Sequence, residues 1–383
     1  MRSICTTIVI TAAGLLLFSQ FAQASDVEAE LRQMQERIAD LEDQLGNETD
    51  SSQLAEEESG SALSSMLENT DIGGWIAPSY NYNFEGHHNG ATAAANTASS
   101  HPSTNTFQLD QAWISIDNAA TEDSRGGAHL DYEWGVVNGA GKGGSLYSAY
   151  ISYLAPIHEG INLDVGLIPT MVGAEVNQTN ANFNVTRGLV WGIQPVTNVG
   201  AVVSGEISDG FSAALGVLND PYSTAAIDSD NEKAVTAQLA YAADNWSAGG
   251  TVVWGDIGDT GTGIYDFLLS SDVSDDVSAW LNYTIVDIED VATVHGIAAA
   301  ARMALSEEMG VALRGEALFV DVDGGGNFEV WSITTTGDYA LTEHLTTKLE
   351  LRIDINDDTL PDSRGVPDED VAAMILAQFI YEF

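Results

Sequence analysis

Ionisable side chains recur at every second residue in three stretches of this chain, and their types decide what chemistry that face can do. The stretches contain Lys348, Glu350, Arg352 and Asp354, then Arg314 and Glu316, and finally His129, Asp131 and Glu133. Because successive residues of a strand point to opposite faces, each set shares one face. Both signs of charge around a water-filled lumen create a transverse field that orients polar solutes. We therefore predict that these nine residues line a pore; charge pairing across strands for stability alone is the alternative.

The pair His129 and Asp131 also has the residue types of a general base and its orienting carboxylate. Neither a serine motif nor a second histidine at a fixed spacing accompanies the pair. We therefore expect a protein that is not an enzyme, and we assign no catalytic residue.

The sequence predicts no cofactor and no metal site. The pair His87-His88 has the right residue type for a transition metal, but it has no third ligand beside it. Short acid-rich segments such as Asp272 to Asp276 lack the full ligand spacing of a calcium loop. We interpret these segments as hydrated turns, with divalent-cation bridging to lipopolysaccharide as the alternative.

Alternation of apolar and polar residues predicts the elements that position the charged faces. Leucines and isoleucines between Leu345 and Ile355 alternate with the charged set, and the same pattern recurs from strand to strand. An apolar face opposite a charged face fits lipid outside and water inside. We predict sixteen strands, at about 72–84, 106–118, 126–137, 145–155, 161–169, 197–207, 210–219, 233–243, 245–255, 262–270, 276–287, 292–304, 308–321, 327–340, 343–356 and 370–383.

The connections between these strands favour a closed, antiparallel transmembrane β-barrel. With these boundaries, connections after odd-numbered strands average about twelve residues and those after even-numbered strands about four. An even strand count lets the sheet close without edges. Four aromatic residues are predicted to lie in the interfacial girdles, namely Trp75, Trp246, Trp254 and Phe84.

The last strand alternates from Val371 to a final phenylalanine. Its outward aromatic residues are Phe379, Tyr381 and Phe383, which we predict to be an assembly signal read by the barrel-assembly machinery. The same strand must pair with the one that starts near Ile72 if the barrel closes.

Residues before the barrel divide into three regions. Residues 1–24 fit a signal peptide that ends at Ala22-Gln23-Ala24. Residues 25–46 carry a heptad seam that predicts a periplasmic α-helical coiled coil and a homotrimer, with an isolated amphipathic helix as the alternative. Residues 47–70 are predicted to be an acidic flexible linker, and residues 71–383 the outer-membrane β-barrel.

The charge balance limits the partners. Twelve basic residues against 57 acidic ones give a formal net charge of −45. Because no basic surface is available to neutralise phosphates, we exclude nucleic acid as a partner. Outer-membrane lipid and lipopolysaccharide are the partners we expect, in the outer membrane of a Gram-negative bacterium. The excess of acid on the predicted inward faces also predicts a weak preference for cations.

Several short motifs, in this order, resemble the β-barrel porin-2 family of outer-membrane porins. They are FQLDQAWISI at 107–116, GLIPTMVGAE at 166–175, TRGLVWGIQPVTNVG at 186–200 and FSAALGVLN at 211–219. The resemblance covers roughly Trp75 to Phe383 and implies passive transport, with no defined substrate. The heptad segment is also similar to the periplasmic coiled coils of some trimeric porins.

In general porins the loop after the fifth strand folds into the lumen and sets the constriction. In this chain the connection at 170–196 follows the fifth predicted strand. Its candidate constriction residues are Glu175, Asn177, Asn182 and Arg187. A solvent-exposed outer loop of the same composition is the alternative. We predict a passive diffusion porin for small polar solutes or ions. The alternatives are a substrate-selective channel of the siderophore or dicarboxylate type, and a barrel-anchored structural protein of the envelope.

Overall fold

The computed structural model describes residues 69–84, 101, 104–136, 141–157, 160–222, 231–356 and 371–383. In them, sixteen antiparallel strands form one closed barrel in which each strand pairs with its neighbours along the chain. The strands are β1 Thr70–Asn83, β2 Thr106–Asn118, β3 Gly126–Gly135, β4 Gly141–Ala155, β5 Ile161–Pro169, β6 Thr197–Ser208, β7 Phe211–Leu218, β8 Ala234–Ala242, β9 Trp246–Ile257, β10 Thr260–Ser274, β11 Val277–Ile288, β12 Ala292–Ala304, β13 Met309–Val322, β14 Asn327–Thr342, β15 Leu345–Asn356 and β16 Val371–Glu382. The predicted all-β barrel and its strand count are confirmed.

Burial alternates along each strand with the period of the sequence pattern. In β15, Leu349 is 58% exposed whereas Arg352 is 0% exposed. Since a barrel has one inner and one outer face, the exposed apolar residues form its outer surface and the buried charged residues point inward. The charged faces read from the sequence are therefore the inner faces of β3, β13 and β15.

The barrel closes between β1 and β16. Gly74 donates its N–H to the carbonyl of Phe383 at 3.1 Å, and Phe383 donates back to Gly74 at 3.0 Å. Glycine is required at this position, because a Cβ on Gly74 would lie 2.1 Å from the Trp113 carbonyl oxygen. The predicted pairing of the last strand with the first is confirmed.

The lengths of the connections follow the predicted asymmetry. The four longest, residues 84–105, 170–196, 219–233 and 357–370, all follow odd-numbered strands. The connections after even-numbered strands have at most seven residues, in 119–125. Pro78 lies inside β1, where the register with β2 shifts between Ala77 and Pro78. Its missing N–H therefore falls at an irregularity in the ladder.

One of the four predicted girdle residues is placed wrongly by the sequence. Trp75 is only 7% exposed and points into the barrel, where its ring stacks on that of Trp113 at 5.0 Å. Trp246, Trp254 and Phe84 are exposed on the outside, as predicted. Alternation shows which residues share a face of the sheet, but not whether that face is inside or outside the barrel. The inner face accommodates the Trp75 indole because Gln111 accepts the indole N–H at 2.9 Å.

The predicted signal peptide, coiled coil and histidine pair His87-His88 lie outside the described residues, as does the linker except for residues 69 and 70. The one helix within the described ranges is a short 3-10 turn at Trp191–Ile193. None of the helices in the part of the chain that the structure describes has the length and apolar character needed to cross a membrane.

Candidate pore and the segment inside it

The long connection after β5, residues 170–196, lies inside the barrel; we call it the inner segment. Its backbone N–H groups donate to inward-facing side chains of strands far apart around the wall. Gly173 donates to Asp266 of β10 at 3.1 Å, and Thr179 donates to Gln111 of β2 at 3.0 Å. A loop on the outer rim could not reach both strands at these depths, so the segment crosses the lumen.

Glu350 of β15 is the acceptor that holds the centre of the inner segment. Its carboxylate receives the backbone N–H groups of Val185 at 2.5 Å and Thr186 at 3.0 Å. The hydroxyl groups of Thr186 and Thr336 donate to the same carboxylate at 2.6 and 2.7 Å. Because a buried carboxylate needs such donors to offset its lost hydration, Glu350 and this part of the segment depend on each other.

Arg314 of β13 makes a second charged link to the inner segment. It is fully buried, and its guanidinium donates to Glu175 at 2.5 Å and to the Thr186 carbonyl at 2.7 Å. Its Nε also lies 2.9 Å from Glu316 of the same strand, a contact between charges without hydrogen-bond geometry. Glu175 in turn accepts the Gly188 N–H at 2.6 Å. The cation is therefore neutralised by one carboxylate of the wall and one of the segment.

Two further cations of β15 bind carbonyl groups of the inner segment. Lys348 donates to the carbonyl of Asn182 at 2.7 Å. Arg352 donates to the carbonyl of Arg187 at 2.7 Å and to Asp354, its neighbour on the same face, at 2.8 Å. Each of these β15 side chains is buried. They fasten the segment to the wall and have little contact with water.

Arg187 and Asn182 fold the inner segment upon itself. The Arg187 guanidinium donates to the carbonyls of Val176 at 3.1 Å and Val185 at 2.9 Å, and also to that of Asn177. Burial lowers the pKa of Arg187, and nearby carboxylates led by Glu175 oppose that shift. Asn182 accepts the Val176 N–H at 3.0 Å and returns a bond to its carbonyl at 2.6 Å. Of the four predicted constriction residues, Arg187 and Asn182 thus support the segment from within, whereas Glu175 and Asn177 also bond to the wall, at Arg314 and Glu133.

The third charged set lies on β3. His129 has its Nδ1 2.7 Å from Asp117 and its Nε2 2.8 Å from Asp131. Since both ring nitrogens are bonded to carboxylates, neither has a free lone pair for proton abstraction. Glu133 accepts from Gln111 at 3.0 Å and from Asn177 of the inner segment at 2.8 Å.

All nine predicted pore-lining residues point inward, and all but the half-buried His129 are buried. They are brought together in two groups, one on β3 and one on β13 and β15, both on the side of the barrel that the inner segment covers. We call the inner faces of β13–β16 and β1–β3 the covered wall. Sequence reasoning did not select several uncharged partners on it that hold the segment, among them Gln111, Gln378 and Thr336.

The opposite side of the barrel, the inner faces of β4–β9, borders an open cavity of ≈ 550 Å³; we call it the open wall. Its polar lining residues are Tyr150, Asp164, Asn198, Ser204, Glu206, Ser212, Thr236 and Gln238. Among the described residues that line it there is no lysine and no arginine. The inner segment is fastened at its edge, where Gln238 donates to the Met171 carbonyl at 3.1 Å. Asp164 alternates with Ile161, Leu163 and Val165, and this pattern is the sequence signal that predicts an inward-facing Asp164.

The model of a known protein family matches this chain over the barrel region. The family described as "Putative beta-barrel porin-2, OmpL-like" matches residues 69–383. That range covers all sixteen strands of the barrel. No curated protein matches the chain.

Solved outer-membrane barrels share the fold. OmpF of Salmonella typhi, solved with daunomycin, is 13% identical with a TM-score of 0.61 and covers 82% of this chain and 97% of its own. OprB of Pseudomonas putida is 10% identical, with a TM-score of 0.59 and coverage of 85% and 97%. The trimer form of OmpT of Vibrio cholerae is 9% identical, with a TM-score of 0.58 and coverage of 82% and 99%. At these identities the likeness concerns the fold alone.

Proposed function

Because the chain belongs to the β-barrel porin-2, OmpL-like family, we propose that it is an outer-membrane porin through which small polar solutes and ions diffuse passively. The observation that carries the proposal is the inner segment, which fills one side of a sixteen-stranded lumen and leaves a cavity along the other. A barrel of this strand number encloses an aqueous channel unless it is plugged. The segment acts as its constriction, and solutes pass along the open wall.

The same arrangement supports a weak preference for cations. Inward-facing cations such as Arg314, Lys348 and Arg352 are buried against partners in the covered wall. The carboxylates of Asp164 and Glu206, by contrast, line the open cavity. Solutes in that cavity meet an acidic field, because Arg314, Lys348 and Arg352 are buried against the inner segment and Arg302 is paired with Asp338.

A dicarboxylate-selective channel is less well supported. Such a channel needs accessible cations to bind two carboxylates. Arg314 and Arg352 are fully buried, and the more exposed Arg302 already donates to both carboxylate oxygens of Asp338. The enzyme alternative has His129 as its base, and both ring nitrogens of His129 are bonded to carboxylates. Family and fold point to a channel.

The assembly around the barrel belongs to the same proposal. A homotrimer is supported by the heptad seam at 25–46 and by the trimer form of one similar barrel. The barrel's exposed apolar outer face fits outer-membrane lipid and lipopolysaccharide. The coiled coil would then lie in the periplasm.

The decisive test removes the inner segment from the full chain. The Thr170 N–H donates to the Val196 carbonyl at 3.0 Å, so a short glycine linker can join the two ends. In planar bilayers we expect single-channel conductance in KCl to rise roughly twofold or more, because the lumen is then bounded only by its strands. A matched control removes residues 223–230 from the connection after β7.

Two results would contradict the proposal. An inserted, shortened barrel with unchanged conductance would mean that the segment does not constrict the path. Reversal potentials of the intact protein that show anion preference in a KCl gradient would refute the cation preference while leaving the porin itself in place.

Three outward aromatic residues at the end of the barrel are proposed to act in assembly, namely Phe379 and Tyr381 of β16 and Phe383, which follows it. All three are exposed on the outer face, away from the cavity. Deleting Phe383 should therefore reduce the amount of inserted barrel more than it changes the conductance of each channel. Normal insertion with altered conductance would assign this end of the strand to transport.

A further inference from the structure

An aromatic residue of the inner segment is held out toward the lumen. Phe183 is half-buried, whereas its neighbours Asn182 and Asn184 are buried. Asn184 donates to Thr336 of β14 at 2.7 Å, and Asn182 donates to the carbonyl of Val176 at 2.6 Å. Because both neighbours are fixed, the backbone at Phe183 is fixed too. The phenyl ring lies between two anchored amides and keeps an exposed apolar face.

Phe183 lines a second cavity, of ≈ 330 Å³, at the end of the barrel that holds the β8–β9 and β10–β11 turns. Trp280 of β11 lines it as well. Its polar lining includes serines and carboxylates, among them Ser247, Ser270, Ser278 and Asp272. The volume lies at the lower end of the range for small-molecule sites.

The second aromatic residue is also held in place. Trp280 packs against a buried cluster that includes Leu189 and Val190 of the inner segment. The cavity is therefore bounded by two aromatic side chains, and contacts made by the inner segment hold both of them in position. On the polar side, Ser278 donates to Asp272 at 2.7 Å, which orients that carboxylate. A site with rigid aromatic groups and oriented polar groups binds its ligand at a small entropic cost.

From this geometry we propose that Phe183 and Trp280, with the serines and Asp272, form a binding subsite for neutral polyhydroxylated solutes of monosaccharide size. This inference rests on the proposed porin function and names a solute class for it. The apolar C–H face of a sugar ring packs on an aromatic ring, and its hydroxyl groups both donate and accept. Serine hydroxyl groups do the same, and a carboxylate accepts. Among the described residues lining this cavity there is no lysine or arginine, which disfavours anionic solutes.

The test measures block of ion current by three solutes of the same size, namely glucose, glucosamine and gluconate. Single channels of the full protein are recorded in KCl. We expect glucose to reduce the current and gluconate to have no effect. Phe183→Leu should raise the half-blocking concentration of glucose about three- to tenfold, because the leucine keeps the apolar volume but removes the aromatic face.

Phe267→Leu is the matched control, since Phe267 lies on the outer face of β10 and is exposed there. It should leave the block unchanged. A titration of tryptophan fluorescence with glucose in detergent gives a readout that does not need conduction, and Phe183→Leu should weaken it by the same factor.

Three outcomes would overturn the inference. The first is that glucose neither blocks the current nor changes the fluorescence. The second is an equal glucose block in Phe183→Leu and the native chain. The third is a block by glucosamine without one by glucose, which would make the cavity a cation site. The KCl conductance recorded in the same experiment tests the proposed porin function separately from the proposed sugar site. A protein that binds glucose but does not conduct would refute only the proposed transport.

Discussion

The covered wall and the open wall of the lumen belong to one barrel and alternate with the same period, yet their charged residues have different environments. On the covered wall, Glu350 and Arg314 are buried under the inner segment and bonded to it. On the open wall, Asp164 and Glu206 line a cavity that no described basic residue borders. The first wall uses charge to hold a segment; the second presents charge to solutes.

Because of this difference, a count of the charges on inward faces overestimates the field in the open part of the lumen. Eight of the nine residues predicted to line the pore are buried. A buried cation such as Arg314, which contacts Glu175 and Glu316, is largely neutralised at short range. We therefore expect the open wall, with fewer charged residues, to set the selectivity of the proposed channel.

The largest effect is expected from breaking a charge pair of the covered wall. Arg314→Met leaves Glu175 and Glu316 buried without their cation, and removing one partner of such a group typically costs about 3–5 kcal/mol. We expect a clear drop in the thermal unfolding temperature of the barrel in detergent. Arg125→Met is the control, because Arg125 lies in a short connection with a partly exposed guanidinium.

If Arg314→Met lowers the free energy of unfolding by less than about 1 kcal/mol, the range of an exposed ion pair, the assigned difference between the two walls is wrong. It would mean that water reaches the covered wall and that Arg314 is available to solutes.

A smaller effect is expected when the inner segment loses a charged acceptor but keeps its shape. Glu350→Gln weakens the bonds from the N–H groups of Val185 and Thr186, and hydrogen bonds to charged groups contribute about 1.5–3 kcal/mol. Hydrogen exchange of these two amides should accelerate about 10- to 100-fold. Glu343→Gln, in the exposed β14–β15 turn, should leave their exchange unchanged.

Equal exchange rates in Glu350→Gln and the native chain would show that other contacts alone hold the segment. In that case the covered wall would be a packing surface and its charges would be dispensable.

The smallest effect compares one substitution on the two walls. Asp164→Asn removes a carboxylate that borders the open cavity, and the cation-to-anion permeability ratio should fall by roughly twofold. Asp354→Asn makes the same change under the inner segment, beside Arg352, and should leave the ratio unchanged. Reversal potentials in a KCl gradient measure both. A larger shift for Asp354→Asn would reverse the roles assigned to the two walls.

Much of the fold could be predicted from local patterns. Strand alternation gave the barrel and its sixteen strands, and the longest connections follow odd-numbered strands as expected. The start of β4 at Gly141, before the predicted residue 145, reflects a glycine-rich stretch whose alternation is weak. Trp75 was misplaced because an indole suits a membrane interface and an inner wall equally well when an acceptor is near.

The site was predicted as nine inward-facing charged residues and a candidate constriction loop at 170–196. Asp164 stood on a predicted inner face but was not selected, because nothing local distinguishes a carboxylate beside open water from one under a segment. Phe183 was not selected either, since a single phenylalanine in a polar connection has no periodicity.

Local patterns in the chain are enough to predict the strand count, the two faces of each strand and the pairing of β1 with β16, because every strand repeats the same period of two. The position of residues 170–196 inside the barrel, by contrast, follows from the tertiary structure. That placement depends on bonds between residues far apart in the chain, such as Thr186 with Glu350 at a separation of 164. It also decided which carboxylates remain beside open water, and hence which wall of the lumen a solute meets.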